Sequence, residues 1–176
     1  KGLVLITFGD ADGTIRESAQ QHSHIRQVVN YPVESLLSKH CANDYEAMLK
    51  PYNAMVIRLR GQGTGSQSRQ ESRLMSSLSA LLLCAHRLSL PFVLHATPRN
   101  QLWSNQSLEA FRQEKGITAG LHSHCSVGIK CESDGLSISN RALIMTNVAR
   151  VASSVASLSD KPVSYTHLTL PTISSV

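Results

Sequence analysis

The sequence predicts an α/β fold, a mostly parallel sheet with helices on both faces, on three observations. Short runs rich in β-branched or large apolar residues recur along the chain, each ending at a turn or loop signal. Segments of helical character lie between them. Strands that alternate with helices read as βαβ units, whose crossovers cover both faces of a parallel sheet.

The elements follow in order. Leu3–Phe8 is a first strand, stopped by Gly9-Asp10, and a helix candidate starts at Ile15. Ile25–Val29 and Ala54–Leu59 read as the second and third strands. Gln70–Leu88 is the clearest helix, because Leu74, Leu78, Leu81, Leu82, Ala85 and Leu88 recur at three- and four-residue spacing and form one apolar stripe. Pro91–Leu94 is the fourth strand, and Ser107–Gln113 a shorter helix. The later part is more β-like, with Ile117–His122 and Ala142–Thr146 as strands around a polar loop over 131–140. A Ser/Ala-rich helix, Val148–Leu158, closes the readable sequence.

The length suits one domain with a substantial core, because single domains commonly run about 100–200 residues. Residues 1–160 are read as that domain, in fragment form. The segment 162–176 is expected to be non-native: Val163–Thr172 match the translation of a transposase-type sequencing-library adapter, with Ile173–Ser175 as an index and Val176 before a stop. Its alternating Tyr165, Leu168 and Leu170 are therefore not read as a strand. The chain opens at Lys1 without an initiator Met, so the domain is expected to be truncated at both ends.

The 17 Lys and Arg against 12 Asp and Glu give a net charge of +5, all of it within 1–161. A basic surplus favours polyanionic partners such as nucleic acid. Cys41, Cys84, Cys125 and Cys131 show no tight paired spacing, which fits buried thiols in a reducing, intracellular (cytoplasmic or nuclear) compartment. The longest apolar region, Leu74–Ala96, is interrupted by serines, His86, Arg87 and Pro91. It falls short of the about 20 apolar residues of a membrane span.

In an open parallel sheet, ligands bind outside the carboxyl ends of the strands, so function is sought just after each run. After the first run, Gly9, Ala11 and Gly13 lead to Thr14 and allow a tight turn with close backbone approach to a ligand; an ordinary Asp/Gly turn accounts for them equally. After the second, Asn30 sits where an acidic residue commonly meets a ribose hydroxyl. After the third, Gly61, Gly63 and Gly65 lie between Arg58, Arg60 and Arg69. Such a loop holds phosphates through N–H groups and guanidinium forks, or is simply solvated. It lacks a Gly-Lys-Ser/Thr ending, which excludes a P-loop. After the fourth come His95, Pro98, Arg99 and the lone Trp103. His122, His124, Cys125 and Cys131 have zinc-ligand chemistry, but on a strand His122 and His124 point one way and Cys125 the other.

In this order the loops resemble the catalytic domain of S-adenosylmethionine-dependent methyltransferases, most closely the DNA cytosine carbon-five methyltransferase-like group. Phe8-Gly9-Asp10-Ala11-Asp12-Gly13 is similar to that group's Phe-x-Gly-x-Gly cofactor loop, with the glycines displaced or replaced by Ala11. Phe92 to Pro98, followed by Leu102-Trp103, resembles its Phe-Val-x-Glu-Asn-Pro strand end. His124 to Gly128 and Met145-Thr146-Asn147 resemble a Cys-x-Phe-Gly followed by Thr-Asn. The resemblance covers nearly all of 1–160 and implies a Rossmann-like sheet.

The departures are chemical. The group's Pro-Cys supplies the thiolate that adds to the cytosine ring, but the matching stretch here is Arg58-Leu59-Arg60-Gly61-Gln62. The assisting Glu is His95. Without a thiolate the covalent step has no agent. The resemblance therefore implies a degenerate or altered methyltransferase-like domain binding S-adenosylmethionine through Phe8, Gly9, Ala11, Gly13, Thr14 and Asn30. Arg58, Arg60, Arg69 and Arg99 are the candidates for nucleic-acid phosphates. The alternative is a non-enzymatic nucleic-acid or protein interaction module derived from a mobile element, and a third reading is a zinc-containing module.

Overall fold

The computed structural model describes residues 2–37, 44–59, 69–97, 105–123 and 141–159. The predicted loop over 131–140, the segment 162–176, and Arg60, Arg99, His124, Cys125 and Cys131 lie outside the described residues.

Along the chain run β1 (Leu3–Phe8), α1 (Thr14–Gln20), β2 (Ile25–Tyr31), a 3-10 turn (Val33–Leu37), α2 (Tyr45–Leu49), β3 (Ala54–Leu59), α3 (Arg69–Arg87) and β4 (Phe92–Ala96). Then follow α4 (Gln106–Arg112), β5 (Thr118–Ser123), β6 (Arg141–Thr146) and α5 (Ala149–Ser159). The six strands form one open sheet in the order β2-β1-β3-β4-β6-β5. β1 to β4 are mutually parallel, whereas β6 runs antiparallel to both β4 and β5. The sheet is mostly parallel, as expected from the sequence, with β6 as its antiparallel strand.

Pairing of Phe8 with Tyr31 and Ile57, of Ile57 with Leu94, and of Leu94 with Met145 aligns one face of the sheet. On that face Ile6, Phe8, Met55, Ile57, Phe92, Leu94 and Met145 are buried. They meet the stripe of α3, where Leu78, Leu81, Leu82 and Ala85 are fully buried. Burying each such leucine is worth about 1.5–3 kcal/mol. α5 lies on the other face, where a Cβ built on Gly120 would come within 2.9 Å of Val155 Cγ1, so the glycine permits close helix–sheet packing. Helices therefore flank both faces.

The stripe stops one residue earlier than its periodicity suggests. α3 ends at Arg87, and Leu88 is 37% exposed. Ser89 takes a left-handed φ of 55°, its N–H donates to His86 O at 2.9 Å, and the Leu90 N–H donates to Ala85 O at 2.9 Å. This is a Schellman ending, with buried Leu90 packing back towards Ala85. No helix among the described residues is long and apolar enough to cross a membrane.

Candidate functional site

The chain leaves β1 towards β2 on one side and returns to β3 on the other, so the carboxyl ends of β1 and β3 form the topological switch point. Two glycines shape the loop that begins there. Gly9 has φ 81°, and a Cβ on it would collide with the Arg58 carbonyl oxygen and come within 2.8 Å of Val33 Cγ2. Gly13 has φ 73°, and a Cβ on it would meet nothing within 4 Å. The first glycine is required by packing against β3. The second is required by backbone conformation and borders open space, as a backbone cradle does.

Asp10, 2% exposed, organises the loop from within. Its Oδ1 accepts the Ile15 N–H at 2.9 Å and its Oδ2 the Arg16 N–H at 3.0 Å, while its carbonyl accepts the Gly13 N–H at 3.1 Å. The carboxylate thereby does the work of a helix cap from three residues upstream of Gly13. Sequence reasoning passed over Asp10 because it does not occupy the usual cap position; an Asp before a Gly-ended turn was the available signal. The amides at the start of α1 are therefore spoken for by the protein's own anion.

The other expected residues fall into two groups. Ala11 and Thr14 are exposed beside Gly13, where a ligand would meet the loop. Phe8 and Asn30 lie beneath it. Phe8 is fully buried, its ring stacked on Tyr31 at a centroid distance of 5.7 Å, so it anchors the loop in the core and presents no surface to a ligand. Asn30 Oδ1 accepts from Thr7 Oγ1 at 2.9 Å, and its Nδ2 donates to Asp10 O at 3.2 Å. Its amide thus supports the loop from the end of β2.

Arg58 differs most from expectation. Its NH1 donates to both Asp12 carboxylate oxygens at 3.1 Å and to Thr14 Oγ1 at 2.7 Å, so the guanidinium is engaged within the loop. Thr14 in turn donates through Oγ1 to Asp12 Oδ1 at 3.0 Å. His95 pairs with Arg58 across β3 and β4, on the same sheet face. Arg69 opens α3, while Arg60 and Arg99 lie outside the described residues. Nor does the sequence resemblance at Thr146-Asn147 bring those residues here. Thr146 Oγ1 donates to Phe92 O at 2.6 Å, and Asn147 Oδ1 accepts the Phe92 N–H at 2.8 Å, at the amino end of β4. They fasten the opposite end of the sheet.

Among the described residues no group of three or more His, Cys, Asp or Glu side chains is placed to hold a metal. His122 lies on β5. Cys84, half-buried on α3, has its thiol pKa raised, chiefly by burial, which disfavours a reactive thiolate.

No protein-family model and no curated protein sequence matches the chain. Among solved structures it is similar to the S. pombe Dnmt2 methyltransferase, with a TM-score of 0.54 and 9% identity, over 83% of this chain and 49% of that one. The fold is methyltransferase-like. The chain spans about half the length of the solved methyltransferase it matches. A Thermoplasma acidophilum protein gives a TM-score of 0.40 and 8% identity, over 82% of this chain and 78% of that chain.

Proposed function

We propose that this methyltransferase-like domain binds S-adenosylmethionine at the switch point, over the Gly9–Thr14 loop. The observation that carries the reading is Gly13, held at a left-handed φ of 73° with open space beside it, at the carboxyl end of β1 in a methyltransferase-like sheet. The loop's electrostatics agree in sign. Asp10, Asp12 and Arg58 together carry one net negative charge, which suits a ligand of net positive charge, whose sulfonium and ammonium outweigh its one carboxylate. They oppose a dinucleotide, whose pyrophosphate would need the helix amides that Asp10 occupies. Gly9, Ala11, Gly13 and Thr14 line the site, while Phe8 and Asn30 hold it from below. Bound there, the cofactor would supply a methyl group activated by its sulfonium.

Cytosine carbon-five methylation has no nucleophile here, since Arg58 to Gln62 contains no cysteine to form the covalent adduct. Nucleic acid is the proposed partner class, on the net charge of +5. Its phosphates are assigned to Arg60, Arg69 and Arg99, because Arg58 is engaged with Asp12. Affinity carried by these residues should fall steeply with salt.

The same missing thiolate favours a second reading, a non-enzymatic interaction module on this fold. Calorimetric titration of S-adenosylmethionine into residues 1–161 separates the two, with Gly13→Val as the control. Saturable binding that is lost in the variant, accompanied by ligand-induced thermal stabilisation, is expected of the cofactor-binding domain. A folded protein that neither binds nor is stabilised would be the interaction module.

A further inference from the structure

β3 holds the Gly9–Thr14 loop at both of its ends, and one residue makes both contacts. At the start of the loop, the Arg58 carbonyl packs so closely on Gly9 that no side chain fits between them. At its end, the Arg58 guanidinium reaches Asp12 and Thr14. Register places this grip: Phe8 pairs with Ile57, so Arg58 is the first β3 residue beyond the β1 ladder.

Stability alone does not account for the arrangement. The Arg58 and Asp12 side chains are 31% and 34% exposed, and pairs screened to that degree typically add little to folding. What the contact does fix is geometry. NH1 ties Asp12 and Thr14, the neighbours of Gly13 on either side, to the end of the adjacent strand. The Gly13 backbone, with open space before it, is thereby held in one place.

We infer that Arg58 is a positioning residue for the adenosyl ligand, presetting the Gly13 backbone so that binding does not have to order the loop. The inference rests on the cofactor reading above. Holding a loop in its bound conformation raises affinity by removing an ordering cost from the binding step. Its effect should therefore appear in ligand affinity far more than in folding stability.

The test is calorimetric titration of S-adenosylmethionine into the wild type, Arg58→Ala, Arg58→Lys, Asp12→Asn and the Arg58→Ala/Asp12→Asn pair, with a melting curve for each. Arg58→Ala and Asp12→Asn should each weaken binding roughly tenfold, the size of change that about 1.4 kcal/mol of loop ordering produces. The double variant should lose less than the sum of the two single losses, because Arg58 and Asp12 share one contact although each also bonds Thr14. Arg58→Lys should recover part of the loss, since an ammonium can replace NH1 in the bond to Asp12 but from a shorter side chain. Melting temperatures should move little. Wild-type binding with equal affinity in Arg58→Ala, or fully additive losses, would overturn the positioning role and leave the cofactor reading standing. A folded wild type that does not bind would overturn both. Should Arg58→Ala fail to fold, Asp12→Asn decides the matter, because its binding like the wild type also overturns the role.

Discussion

The carboxylate of Asp10 receives the backbone N–H of Ile15 at 2.9 Å, and through that bond the first strand and the first helix are held at a fixed angle around the glycine loop. A second bond, from the Arg16 N–H at 3.0 Å, uses the other oxygen. Both are charge-assisted and sit in a nearly buried position. Asp10→Ala removes both acceptors and leaves two helix amides unmet, so it should destabilise the domain by about 2 kcal/mol in urea unfolding. Asp10→Asn should cost less, because one oxygen remains while its NH2 faces a second donor. A loss in the alanine variant within a few tenths of a kcal/mol would show that water caps α1 as well as the carboxylate does.

Asn147 plays a comparable part at the far end of the sheet. Its Oδ1 accepts the Phe92 N–H at 2.8 Å and its Nδ2 donates to Leu90 O at 2.9 Å, so one side chain stands in for a strand at the start of β4. Asn147→Ala should cost about 2 kcal/mol, since two part-buried backbone groups lose their partner together. Asp in its place keeps the Phe92 bond but turns a carboxylate oxygen towards the Leu90 carbonyl, and should be no more stable than Ala. The position is about 13 Å along β4 from the carboxyl end. Ligand affinity at the glycine loop should therefore be unchanged in either variant, and a shift in both properties would contradict the separation of the two ends.

Much of this architecture was legible in the residues. β1 and β3 begin and end where expected, because each is an apolar run closed by loop residues at both ends. Two elements were not legible. The turn Val33–Leu37 and α2 are five residues each, too short to display a helical stripe, although Leu36 and Leu49 are buried. Asp44, whose side chain accepts the Ala47 N–H at 2.8 Å, was the local signal for α2. The direction of β6 is a long-range property, and its alternating residues look the same whichever way the strand runs. The site divides in the same way. Gly9 and Gly13 announced themselves, whereas the tie between Asp12 and Arg58 spans 46 positions and leaves no trace in spacing.

Ser89 offers a route to a more stable domain. It holds a left-handed φ of 55° in the Schellman ending of α3, a conformation that costs a residue with a Cβ about 1–2 kcal/mol and glycine little. Part of that gain is lost because glycine is freer in the unfolded chain. Ser89→Gly should therefore raise stability by about 0.5–1 kcal/mol, seen as a higher urea midpoint at an unchanged slope. A lower midpoint would mean that the serine side chain contributes more than its backbone strain costs.

The tyrosine pair beside the core gives the domain an alkaline limit. Tyr52 lies half-buried with its hydroxyl 3.5 Å from that of Tyr31, and its pKa is raised to about 12, first by burial and then by the Tyr31 contact. A phenol whose folded pKa exceeds its unfolded value of about 10 favours the folded state while it stays protonated. That contribution is fully present below about pH 10 and is lost as pH rises from there through about 12. Tyr52→Phe removes the titration. The stability difference between wild type and Tyr52→Phe should therefore be flat through neutral pH and shift in the variant's favour between about pH 10 and 12. Tyrosinate absorbance of the folded wild type should accordingly show one phenol ionising later than in Tyr52→Phe. Parallel stability curves for the two proteins across that window would mean that the Tyr52 hydroxyl is as well solvated in the fold as in the open chain.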